Sequence, residues 1–133
     1  MIKRTILSFI LIASVPISKA QTFIQAYQDR ANQVSQANIN TYLQEFEALG
    51  VKRTGTTQNT NAFNWLKTKY TALGYTTSDF FEHSWTASGY SSKNLIVTKT
   101  GTLYPNKFVI VCGHFDSING PGTNDNGSGT SII

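Results

Sequence analysis

Phe108-Val109-Ile110-Val111-Cys112-Gly113-His114-Phe115-Asp116-Ser117 carries an unbroken apolar run straight into a His-x-Asp pair. A continuous run of this length predicts a central β-strand covered on both faces. Pro121-Gly122 then turns the chain, and Asp125 follows among Asn124, Asn126, Gly127, Ser128 and Gly129. This order sets an imidazole and two carboxylates at the carboxyl end of a buried strand, where open α/β sheets hold their ligands. It reads as half of a metal site.

His114 and Asp116 are two residues apart, so on an extended backbone their side chains share a side. A carboxylate accepting the second N–H of an imidazole fixes its tautomer and makes the other ring nitrogen a better ligand. The pair therefore offers a ligand with its orienter or a base with its orienter; a structural His–Asp hydrogen bond is the bland alternative. Asp125 sits in a glycine-rich loop that allows close backbone approach, and Ser128 or Asn126 is placed to cap the next helix. The bland alternative for that loop is a plain turn.

Working toward the amino terminus, residues 92–100 and 75–85 read as strands joined by a turn at Ser88-Gly89, a candidate hairpin. The clearest helix precedes these strands. Ala62, Phe63, Trp65, Leu66, Tyr70 and Leu73 recur at three- and four-residue steps, Thr57 or Asn59 can cap it, and Gly74 ends it. These aromatics are expected to be core. Residues 38–49 predict a second helix with Ile39, Tyr42, Leu43, Phe46 and Leu49 inward and Gly50 as its stop. Residues 51–60, including Lys52 and Arg53, read as a polar loop. Residues 21–35 predict a polar helix with one apolar stripe of Phe23, Ile24, Tyr27, Ala31 and Val34. Glu82 and His83 lie in an alternating strand and are expected to be solvated.

Residues 1–20 show a basic start at Lys3-Arg4, an apolar stretch and a small-x-small site ending at Ala20, as a secretory signal peptide does. The stretch is shorter than the roughly 20 residues a membrane span needs, so no stable span is expected after cleavage, and the product is expected to be secreted or periplasmic. The 133 residues carry a formal charge of +4, but three of the eleven basic residues lie in the leader. Residues 21–133 are therefore nearly neutral and lack the basic stripe that nucleic-acid binding requires. Cys112 is a lone cysteine, expected to be buried in its strand. With helices and strands interleaved, residues 21–133 are expected to form one α/β domain.

The stretch from Gly113 to Ser117, with that from Pro121 to Gly129, closely resembles the signature of the M28 zinc aminopeptidases of bacterial leucyl aminopeptidase type. Val51-Lys52-Arg53-Thr54-Gly55-Thr56 is similar to that family's arginine-containing loop, and Ser92-Lys93-Asn94-Leu95-Ile96-Val97 to one of its strands. The resemblance implies a three-layer α/β/α fold with a mixed sheet, of which only the amino-terminal part is present. It implies a two-zinc site, with His114 as a terminal ligand of one Zn2+, Asp125 bridging both, and Asp116 as the catalytic-site residue that orients His114. It further implies a cis peptide at Asp125-Asn126, and peptide or protein substrates cleaved at their amino termini. Asn124 stands where many relatives have an acidic residue, at a position that is not a ligand.

The family's general-base glutamate and later ligands follow the bridging aspartate, and no Asp, Glu or His follows Asp125. The expectation is thus an amino-terminal portion that is inactive by itself. A glutaminyl cyclase shares the scaffold, but residues 125–129 match the peptidases better. A calcium-binding module would need more carboxylates than the one in this loop. A non-catalytic relative would be expected to have lost the ligands that are kept here. Substrate preference and oligomeric state are not legible in these residues.

Overall fold

The computed structural model describes residues 23–133; the expected leader lies outside the described residues. The chain divides into two units at Val34/Ser35. The first contains helix α1 (Gln25–Ala31), which buries none of its residues. Its expected apolar stripe is exposed, with Phe23, Tyr27 and Val34 all more than half accessible.

The second unit begins with α2 (Gln36–Ala48), whose Ser35 hydroxyl accepts the Asn38 N–H at 3.2 Å. Gly50 ends it at φ +73°, a value that favours glycine. Helix α3 (Thr57–Ala72) is capped by Thr56 rather than by the expected Thr57 or Asn59. The apolar faces of the two helices meet: Phe46 and Trp65 pack edge-to-face at 5.8 Å, and Phe46, Ala62 and Phe63 are buried. Burying one such phenylalanine contributes roughly 1.5–3 kcal/mol. Leu73, expected inside, is exposed at the helix end.

A single 3-10 turn (Thr77–Asp79) leads into β1 (Phe80–Ala87), which pairs antiparallel with β2 (Tyr90–Val97) from Phe80↔Val97 to Ala87↔Tyr90. The hairpin turns on Ser88 and Gly89, both at positive φ, as a tight two-residue connection demands. Glu82 is not simply solvated as expected. It is ion-paired to Lys67 of α3 and Lys93 of β2, and so ties the hairpin to the helix. His83 is exposed.

The expected central strand over residues 108–112 does not form. Those residues have no regular secondary structure, and Phe108, Val109, Ile110 and Val111 are 68–93% exposed. A strand needs a neighbour to take its N–H and C=O groups, and among the described residues β1 and β2 are paired with each other alone. Cys112 is accordingly exposed and free, not buried. The described residues thus form a mixed helical and two-stranded structure compatible with the α/β class. Among them no helix is long and apolar enough to cross a membrane.

Candidate metal centre

Beyond residue 112 the chain regains contact with the core. Phe115 tilts against Phe63 of α3 at 6.3 Å, which fixes the segment carrying His114 and Asp116. Residues Thr123–Gly127 form a wide turn in which Asp125 and Asn126 leave helical geometry, and α4 (Ser128–Ile132) follows. Neither Ser128 nor Asn126 caps α4 by its side chain; the Ser128 hydroxyl donates to the Asn124 carbonyl instead. The Asp125–Asn126 peptide is cis. Thr130 of α4 donates to the His114 carbonyl at 2.8 Å and so joins the two halves of the site.

His114 and Asp125 converge. His114 Nε2 lies 3.1 Å from Asp125 Oδ1, while Nδ1 lies 3.1 Å from Asp116 Oδ1 and 3.2 Å from the Asp116 carbonyl. Both Asp116 acceptors face Nδ1, so that nitrogen carries its proton and donates. Nε2 faces a carboxylate too, so a positive centre belongs between it and Asp125: a second ring proton or a metal ion. Burial works against the charged ring, but the Asp116 carbonyl, the Asp125 carboxylate and the Asp116 charge outweigh it and raise the pKa of His114.

The donor set suits zinc, which takes imidazole nitrogen and carboxylate oxygen. Two ligands of one tetrahedral zinc, each about 2.0–2.1 Å from the ion, stand about 3.3 Å apart, close to the 3.1 Å between Nε2 and Oδ1. Asp125 is largely exposed, which leaves its other oxygen open to a second cation. Among the described residues no group of three or more His, Cys, Asp or Glu side chains could hold an ion unaided. A cleft of about 590 Å³ between α3 and the hairpin, lined in part by Phe63, Trp85 and Lys93, includes none of these three residues.

The loop bearing Asp125 rests on a residue that the sequence hides. Lys52, expected in a polar loop, is fully buried. Its ammonium donates to the carbonyls of Phe46 (3.0 Å), Gly50 (2.8 Å) and Pro121 (2.6 Å) and lies 3.9 Å above the Phe46 ring. Burial pushes its pKa down, and the Glu47 charge offsets part of that. The only hint in the sequence is a cation just past the end of α2, where unpaired carbonyls favour one. Its neighbour Arg53 offers the same hint and is exposed.

Residues 94–133 match the model of peptidase family M28. A curated relative, leupeptin-inactivating enzyme 1 of Streptomyces exfoliatus, is 28% identical over 127 residues. That alignment takes in 91% of this chain and 28% of the relative, so the chain spans less than a third of the protein it resembles. No solved structure gives a significant match.

Proposed function

We propose that this chain, whose residues 94–133 match the model of the M28 peptidases, is the amino-terminal part of a secreted two-zinc aminopeptidase with a three-layer α/β/α fold. His114 and Asp125 would hold the zinc, His114 on one ion and Asp125 shared between the two, and Asp116 would orient His114. The observation that carries the reading is the 3.1 Å approach of His114 Nε2 to Asp125 Oδ1 while Nδ1 is held by Asp116.

Bound zinc supplies a Lewis acid and lowers the pKa of a coordinated water toward about 7. This chain's residues prepare that site. Asp116 keeps the proton on Nδ1, so the Nε2 lone pair would face a bound metal. Asp125 turns one oxygen toward His114 and would leave the other to a second ion. Two ligands only half fill a tetrahedral sphere, so the activity is proposed for the longer protein, not for these residues alone. The substrates are peptides with a free amino terminus. Secretion rests on the leader-like residues 1–20.

Assay of the full-length protein on aminoacyl amides, with and without a zinc chelator, tests the reading. Chelator-sensitive release of the amino-terminal residue, lost in His114→Ala and Asp125→Ala by on the order of a thousandfold, is expected. Cyclisation of amino-terminal glutamine without peptide hydrolysis would instead assign a glutaminyl cyclase, and full activity in metal-free buffer would exclude the zinc site.

A further inference from the structure

Lys52 is the one charged residue that is fully buried among the described residues, and it makes no salt bridge there. An isolated buried charge is costly unless its hydrogen bonds are complete. Here they are: three ammonium protons meet three carbonyls. Two of those carbonyls, Phe46 and Gly50, lie at the carboxyl end of α2, where the helix dipole favours a cation. The third belongs to Pro121, at the entrance to the loop that carries Asp125.

The same residue grips the loop a second time. The Lys52 N–H donates to Ser117 Oγ at 3.0 Å, and the Lys52 carbonyl accepts from the Ser117 N–H at 3.3 Å and from Asn59 Nδ2 at 3.3 Å. At the far end, Gly127 lies so close to Phe46 that a Cβ there would fall 2.7 Å from the ring. The Gly127 N–H donates to the Gly122 carbonyl at 2.9 Å and closes the turn. Asp125 is thus carried between two fixed points, Pro121 on the ammonium and Gly127 on the ring below it.

We propose that Lys52 is a positioning residue for the metal site, holding residues 117–127 in the register that brings the Asp125 carboxylate to His114. This rests on the reading of Asp125 as a metal ligand. Without the ammonium, three carbonyls face a gap with no donor, and Pro121 regains a partner most readily by moving out to water. Asp125 then leaves His114 although neither residue has changed.

Amide hydrogen exchange on the full-length protein tests the loop directly, and zinc competition against a chromophoric chelator tests the consequence. In Lys52→Met, exchange at Ser117 and Gly127 is expected to quicken about tenfold or more while α3 and the hairpin keep their rates. Zinc affinity per folded molecule is expected to fall about tenfold, and Lys52→Arg, which keeps a cation, to stay within about threefold of the parent. Asp79→Ala breaks the Thr76–Asp79 cap far along the chain; it is expected to lower stability without touching zinc affinity. Uniform acceleration in Lys52→Met, or unchanged zinc affinity, would reduce Lys52 to a stabilising residue and overturn the proposal.

If Lys52→Met does not fold, nitrogen-15 NMR of the parent protein decides. A slowly exchanging Lys52 ammonium coupled to the Pro121 carbonyl supports the clamp, and one as labile as surface lysines refutes it. A parent protein that binds no zinc, combined with local loosening in Lys52→Met, sinks the metal reading of Asp125 and not the clamp on its loop.

Discussion

His114 Nε2 and Asp125 Oδ1 stand 3.1 Å apart, one on an irregular segment and the other in a turn that leads into a short helix. Two groups with no common element are brought together by linked tethers: Phe115 packs on Phe63, Lys52 holds both Ser117 and Pro121, Phe46 lies against Gly127, and Thr130 bonds the His114 carbonyl. The pairing is therefore a property of the helical core, which reaches both sides of the site.

That geometry sets opposite pH dependences for folding and for metal binding. The pKa of His114 is raised in the folded chain. Its contribution to stability is then complete below the unfolded value, about 6.5, and is lost as pH rises through the folded value. Zinc requires the unprotonated Nε2, so its affinity rises over the same window. Thermal melts of the metal-free chain should show stability falling as pH is raised above the unfolded value of about 6.5, with a shallower slope in His114→Gln. Zinc titrations of the full-length protein should show tighter binding over the same range. A metal-free melt that is flat across the window in the parent would contradict the pairing.

Glu82 titrates in the other direction. Hydrogen bonds from Lys67 and Lys93 push its pKa down to about 2. The stability this gives is full above the unfolded value, about 4.3, and is lost as pH falls toward the folded one. The attachment of the hairpin to α3 should therefore loosen between those limits. Trp85 lines the same cleft as Glu82 and serves as the reporter. Its fluorescence should change on acidification in the parent and much less in Glu82→Gln. Because the pair is partly solvated, the effect should also shrink in high salt.

The parts of this structure that were legible in the sequence are those decided by neighbours along the chain. The three-residue rhythm of Ala62, Phe63 and Leu66 marks α3, and Ser88-Gly89 marks the hairpin, because periodicity and turn chemistry are local. The meeting of His114 with Asp116 is nearly local and follows from their spacing. Residues 108–112 show the limit: an apolar run states a need for burial and not which residues meet it. Lys52 shows the converse. Nothing in a lysine's own neighbourhood announces that its three hydrogen-bond partners include a carbonyl 69 positions away. The α3 cap lies one residue before the expected Thr57 and three before Asn59, because several threonines and asparagines near residue 57 compete for one role.

The same exposed run makes a solubility prediction. Val109 and Ile110 are 93% and 85% exposed, in a segment with β-branched residues, no charge and no ladder partner among the described residues. Such segments pair with copies of themselves. The isolated chain should self-associate at micromolar concentration, and Val109→Lys with Ile110→Lys should shift its sedimentation toward the monomer without altering its helical circular dichroism. Unchanged association in the double variant would move the sticky surface elsewhere.

Gly127 gives the sharpest test of how the loop is supported. A Cβ there would stand 2.7 Å and 2.8 Å from two Phe46 ring carbons and 2.9 Å from the Gly122 carbonyl oxygen. The ring is buried and held by Trp65 and the Lys52 ammonium, so it has little room to yield. Gly127→Ala should therefore cost about 1–3 kcal/mol of stability, as overpacking does. Trimming the obstacle should relieve it: Phe46→Leu introduced with Gly127→Ala should cost less than the sum of the two single changes. Additive costs in chemical denaturation would show that the loop does not rest on the ring. In that case Asp125 would owe its place to Lys52 and the turn hydrogen bonds alone.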